Sequence, residues 1–187
     1  MIHKLIGLGF WRSLFEPAFP DPAWFVDELR PAKTRGLVIS YLQQGHPICV
    51  QMGYSWCRFR CPVPVLMLGT ADLTDGTYSW PAGLVHYVQE HQLRLPDVVV
   101  EHMLAQTTFP HLQAAQVAEA SPLDMTWWCQ QKGWQQGASS FISSTDQEVR
   151  DYLGRYDRGM IYFDDHAEEA HRAREQMVQE LRRSYFL

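Results

Sequence analysis

The stretch "ADLTDGTYSWP", residues 71–81, limits the fold more than any other part of this chain. Asp75-Gly76 lies between two short runs of strand-forming residues, and that arrangement signals a tight antiparallel hairpin. "PICVQMG" and "YSWCRFRC" upstream also read as strands. Helices are expected around this sheet wherever proline opens and glycine closes a periodic apolar segment. Such segments are "PAWFVDEL" after Asp21, "PAKTRGLVISYLQQG" with Leu37, Tyr41 and Leu42 at helical spacing, and "PAGLVHYVQEH" from Pro81. Further ones are "LPDVVVEHMLAQ" from Pro96, with Val99, His102 and Met103 on one side, and "SPLDMTWWCQQKG", capped by Ser121 and ended at Gly133. "STDQEVRDYLGRY" adds a short helix and "MIYF" a brief strand. The final segment from Asp164 reads as a long C-terminal helix, with acids in its first turns and arginines later, matching the helix dipole. Together these imply an α+β chain: one domain over residues 1–187, with a small, mainly antiparallel sheet packed with five or six helices.

Composition restricts what such a chain does. Its 187 residues suit one domain, and a net charge of -5 argues against a nucleic-acid protein, which needs a basic face. The amino terminus lacks the uninterrupted apolar run of a signal peptide, and no segment reaches the length of a membrane helix. Four cysteines without an export signal point to reduced thiols and a cytoplasmic location. Asparagine is absent, which excludes a Cys-His-Asn catalytic set. No nucleophile elbow, phosphate loop or dinucleotide fingerprint occurs. Ser139, Ser140, Ser143 and Ser144 have no identifiable base beside them.

"SWCRFRC" is the most chemical-looking stretch. Read as a strand, it places Cys57, Phe59 and Cys61 on one buried face and Trp56, Arg58 and Arg60 on the other. A structural zinc needs four ligands, and Cys49 and Cys129 have no paired neighbour, so no metal site is expected. Three intervening residues are one too many for a thioredoxin-like pair. His86/His91 and His166/His171 are five apart, about 140° around a helix, so neither pair is expected to face one metal. Asp72 and Asp75 do not complete a calcium loop and read as hairpin residues. No catalytic residue, cofactor or metal ligand is therefore assigned.

Residues 54–97 resemble small bacterial immunity proteins of toxin–immunity pairs. The resemblance is carried by the SWCRFRC stretch, the D-L-T-D-G hairpin and the W-P-x-G-L-x-H-Y-V entry into a helix, Trp80 to Val88. It implies a cytosolic inhibitor that binds a cognate toxin and masks its active site, with no nucleic acid or membrane as partner. An acidic, aromatic-rich chain suits a toxin that is basic at its contact surface. Asp164, Asp165, Glu168 and Glu169 form the best candidate partner-binding patch. The alternatives are a hydrolase-like enzyme with an unrecognised Asp/His site and a non-catalytic adaptor domain.

Overall fold

The computed structural model describes residues 4–12, 18–29, 31–50, 57–59, 61–112, 123–135, 137, 138 and 140, together with 150, 153, 176, 178, 179, 182 and 183. Internal contacts divide the chain into two compact units, Met1–Ser140 and Phe141–Leu187. In the second unit the described residues are all helical, with Leu153 and Val178 buried. The sheet, the core and the site described below belong to the first.

That unit holds a four-stranded mixed sheet of β1 (Ile6–Gly7), β2 (His46–Val50), β3 (Ala71–Thr74) and β4 (Tyr78–Pro81), in the order β1-β4-β3-β2. β2, β3 and β4 pair antiparallel, while β1 joins β4 in parallel. Around it stand α1 (Ala32–Leu42), α2 (Leu84–Glu90), α3 (Asp97–Ala105) and the single turn α4 (Thr126–Cys129). Among the described residues no helix is long and apolar enough to cross a membrane.

The α+β class stands, but the detailed architecture read from the sequence does not. The described helices number four rather than five or six, and no long C-terminal helix is among them. Of residues 164–187, only Gln176, Val178, Gln179, Arg182 and Arg183 are described; each is helical. "PAWFVDEL" makes only a 3-10 turn, Pro22–Phe25, because Val26 turns extended to bridge Leu93. "SPLDMTWWCQQKG" shortens to α4 because Asp124 is drawn into extended pairing beside β1. There its N–H donates to Leu5 O (2.8 Å) and its carbonyl accepts from Gly7 N (3.0 Å). Extended pairing thus wins over the local helix signal. "SWCRFRC" is not a strand where described: Arg58 and Phe59 form a turn between Cys57 and Cys61. The "MIYF" strand, the Ser121 cap and most of "STDQEVRDYLGRY" lie outside the described residues.

The buried apolar residues form one core with two aromatic groupings. Trp80 is fully buried against Tyr41 of α1 and donates its indole N–H to Leu42 O. Trp11, Phe25 and Trp128 form a second cluster with centroids 5.2–5.4 Å apart, and Tyr87 of α2 joins it 5.6 Å from Trp11. On α1 the buried face runs through Val38, Tyr41 and Leu42, leaving Leu37 half exposed. The expected face is therefore rotated by one position. Gly45 is required for closeness, since a Cβ there would meet Leu73 and Trp80 at 2.7–2.8 Å.

The hairpin turn is organised by Asp75, whose side chain is completely buried. One carboxylate oxygen accepts the N–H groups of Thr77 (2.8 Å) and Tyr78 (2.7 Å). The other accepts the Tyr41 hydroxyl (2.8 Å) and lies 2.9 Å from His102 Nε2. A carboxylate already holding three donors places the ring proton of His102 on Nε2. Burial and Asp75 together push the Tyr41 hydroxyl far above its ordinary pKa, so it stays a donor. Gly76 takes φ +90°, and a Cβ there would also strike Leu112 at 2.8 Å. Asp75→Ala should lower stability by about 3 kcal/mol, because it strands two amides and a hydroxyl in the interior. Gly76→Val should cost about 2 kcal/mol through backbone strain. Urea midpoints measure both, and an unchanged midpoint in either variant contradicts this account of the turn.

Candidate functional site

The described chemistry-bearing side chains gather where the turn after β2 meets α2. Cys57 and Cys61 bracket the Arg58-Phe59 turn, and the Arg58 N–H donates to the Tyr87 hydroxyl (2.9 Å). Tyr87 sits on the buried side of α2. That bond brings both sulfurs to the end of α2, where His86 and His91 project.

His86 and His91 do not diverge by the 140° expected of a helix, and the reason is local. α2 ends at Glu90, and His91 is its cap, with φ -107° and ψ 8°. The next residue, Gln92, turns to positive φ (53°). His91 has left the helical path, so the spacing rule does not apply to it. Its ring folds back, placing His91 Nε2 3.2 Å from His86 Nε2. Phe59 stacks on the His91 ring at 4.3 Å and fixes its plane.

Cys57 Sγ lies 3.1 Å from His91 Nε2, and Cys61 Sγ lies 3.3 Å from His86 Nε2. All four donor atoms fall within 4.8 Å of one another. Cys57 is buried and the other three residues are partly buried. Burial pushes the Cys57 thiol up to about 11, against the opposing pull of the Phe59 and Cys61 backbone N–H groups directed at its sulfur. Burial also holds both imidazoles below the ordinary histidine range, and for His91 the neighbouring His86 adds to the effect. Burial thus favours the neutral forms of Cys57, His86 and His91. Two thiols and two neutral imidazoles are a donor set that can hold a transition metal.

The sequence also contained a signal that joint reading would have found. Cys57-x3-Cys61 followed by His86-x4-His91 fits the ligand spacing of Cys2His2 sites. Treating the cysteine pair and the histidine pair separately hid it. Cys49, considered as a completing ligand, is exposed on β2, and Cys129 ends α4; neither belongs to the cluster. Asp72 lies in β3, and Asp75 is absorbed by the turn. Ser140 donates its N–H to the buried Asp21 carboxylate. The proposed patch Asp164, Asp165, Glu168 and Glu169, with His166 and His171, lies outside the described residues.

The lowered histidine pKa values fix the sign of an acid effect in metal-free protein. The unfolded chain takes up protons first as pH falls, so stability is full above the unfolded value near 6.5. It declines as pH drops below that value towards the lower folded pKa. Chelated protein should therefore melt at lower temperature at about pH 5 than at about pH 7.5. The His86→Gln/His91→Gln double variant should show a shallower pH slope. Equal slopes in the two proteins would mean that these rings do not carry the effect.

Compared with models of known protein families, with curated proteins and with solved structures, the chain matches none.

Proposed function

We propose that this protein is a non-catalytic binding protein that neutralises a cognate bacterial toxin in the cytosol by masking the toxin's active site. The observation that carries the reading is the use to which its reactive groups are put. Asp75, the best candidate for an Asp/His hydrolase site, has its carboxylate oxygens turned to two turn amides, Tyr41 and His102. Cys57, Cys61, His86 and His91 are turned towards one another. Groups committed in this way hold a scaffold together, and a scaffold acts through its surface.

Two packed helices offer such a surface. α1 exposes Leu37, and α3 exposes Val98 and Leu104 beside the acids Asp97 and Glu101. Exposed apolar side chains on neighbouring helices, with Glu101 beside them, suit a protein partner. A surface hollow of roughly 500 Å³ lined by Asp27, Leu29, Pro31, Thr34 and Arg94 makes a poorer case for a small substrate. Arg94, the one cation among the described lining residues, is already paired with Asp27 (3.1 Å) and Asp97 (2.8 Å) and stacked on Trp134. The segments that carry the resemblance to immunity proteins are also those that supply Cys57, Cys61, Asp75 and His86, which accords with a shared scaffold.

Co-expression with the product of the adjacent gene tests the proposal. The two proteins should co-purify, and this chain should protect cells from that product. Leu104→Glu should weaken the complex at least tenfold with the melting temperature unchanged, because an exposed side chain is replaced. Reversing Asp164 and Glu168 to lysine should slow association roughly tenfold and flatten its salt dependence. Failure to bind or protect against any neighbouring gene product overturns the immunity reading.

A further inference from the structure

We propose that Cys57, Cys61, His86 and His91 bind a zinc ion in a closed, tetrahedral structural centre that fastens the turn after β2 to α2. This inference concerns the chain alone and does not depend on the identity of any partner.

Hydrogen bonds among the four groups leave at least one of these contacts poorly satisfied. His91 Nε2 faces both Cys57 Sγ and His86 Nε2, and His86 Nε2 faces both Cys61 Sγ and His91 Nε2. A neutral imidazole offers at Nε2 either one in-plane N–H or one lone pair. If both nitrogens are acceptors, two lone pairs oppose each other at 3.2 Å. If one carries the proton, its N–H and a thiol S–H both turn on the single lone pair of the other. A cation at the centre removes the conflict, because all four lone pairs then point at one acceptor.

The dimensions agree. With Zn–S near 2.3 Å and Zn–N near 2.0 Å, a tetrahedron has edges of about 3.8 Å between sulfurs, about 3.5 Å for a mixed pair and about 3.3 Å between nitrogens. Two of the four mixed edges here are 3.1 and 3.3 Å, the nitrogen edge is 3.2 Å, and all four donors lie within 4.8 Å of one another. Borderline-soft S2N2 donors in tetrahedral array select zinc over the hard cations. Four protein ligands leave no position for substrate, so the centre is structural rather than catalytic.

Charge and protons also balance. Zn²⁺ plus two thiols and two neutral imidazoles gives a neutral complex of two thiolates and two imidazoles, and two protons pass to solvent. No net charge is buried. The Phe59 and Cys61 amides directed at Cys57 Sγ stabilise the thiolate that forms. Phe59 stacking on His91 and the Arg58–Tyr87 bond provide the supports that hold ligand orientation.

Elemental analysis of the full chain, purified reduced and without added metal, tests the site. One zinc per chain is expected, and its removal by a chelator should lower the melting temperature reversibly. Exchange with Co²⁺ should give visible ligand-field bands and a thiolate-to-cobalt charge-transfer band. Cys57→Ser/Cys61→Ser should lose both the zinc and the cobalt spectrum. Should that variant fail to fold, His91→Cys keeps the test open: it should retain zinc with a cobalt spectrum shifted towards three sulfurs. Cys49→Ser and Cys129→Ser should behave as wild type. Zinc at background level in reduced wild type offered Zn²⁺, with no cobalt charge-transfer band, overturns the proposal. So does zinc that survives Cys57→Ser/Cys61→Ser or is lost from Cys129→Ser.

Discussion

A buried carboxylate ties the sheet to two of its helices. Asp75 sits at the tip of the β3–β4 hairpin, yet its oxygens reach beyond the turn to Tyr41 of α1 and His102 of α3. An interior carboxylate is costly unless its lone pairs are met, and here two amides, a hydroxyl and an imidazole meet them. The same contacts orient Tyr41 and so the packing of α1 over Trp80. Loss of the acceptor would free the turn and both helices together. Hairpin, α1 and α3 therefore form one mechanical unit, although each is specified locally by its own turn and cap residues.

The Cys57–Cys61 turn and α2 are joined by different physics. Little regular structure holds the turn: its described residues belong to no strand or helix. It is held by the Arg58–Tyr87 hydrogen bond, by Phe59 on His91 and by the convergence of two sulfurs and two imidazoles. Tyr87 also belongs to the aromatic cluster of Trp11, Phe25 and Trp128, so the same helical residue anchors the turn and fills the core. This dual use brings the four donors within 4.8 Å of one another, three of the pairs at 3.1–3.3 Å.

Local signals were reliable where the local residues themselves made the structure. Asp75-Gly76 marked its hairpin, Pro31 and Pro96 marked the starts of α1 and α3, and Val99 and Met103 marked the buried side of α3. They failed where a distant partner competed. Asp124 reads as part of a helix but pairs with β1, and Ile6–Gly7 is a strand only because β4 and Asp124 flank it. The cluster was hidden for a related reason: His91 follows the end of α2, and a rule built on helical spacing cannot describe a residue that has left the helix.

The turn chemistry, the principal helix starts, the α+β class and the ligand types available are all local properties of the chain. Those depend on φ preferences, missing proline N–H groups and side-chain period, all properties of neighbouring residues. The tertiary structure alone decided which of those residues meet. The convergence of Cys57 and Cys61 with His86 and His91 depends on how α2 ends and how the turn docks on Tyr87. The burial of Asp75 depends on α1 and α3 closing over the hairpin. Both are settled by long-range packing and by the need to satisfy polar groups removed from water.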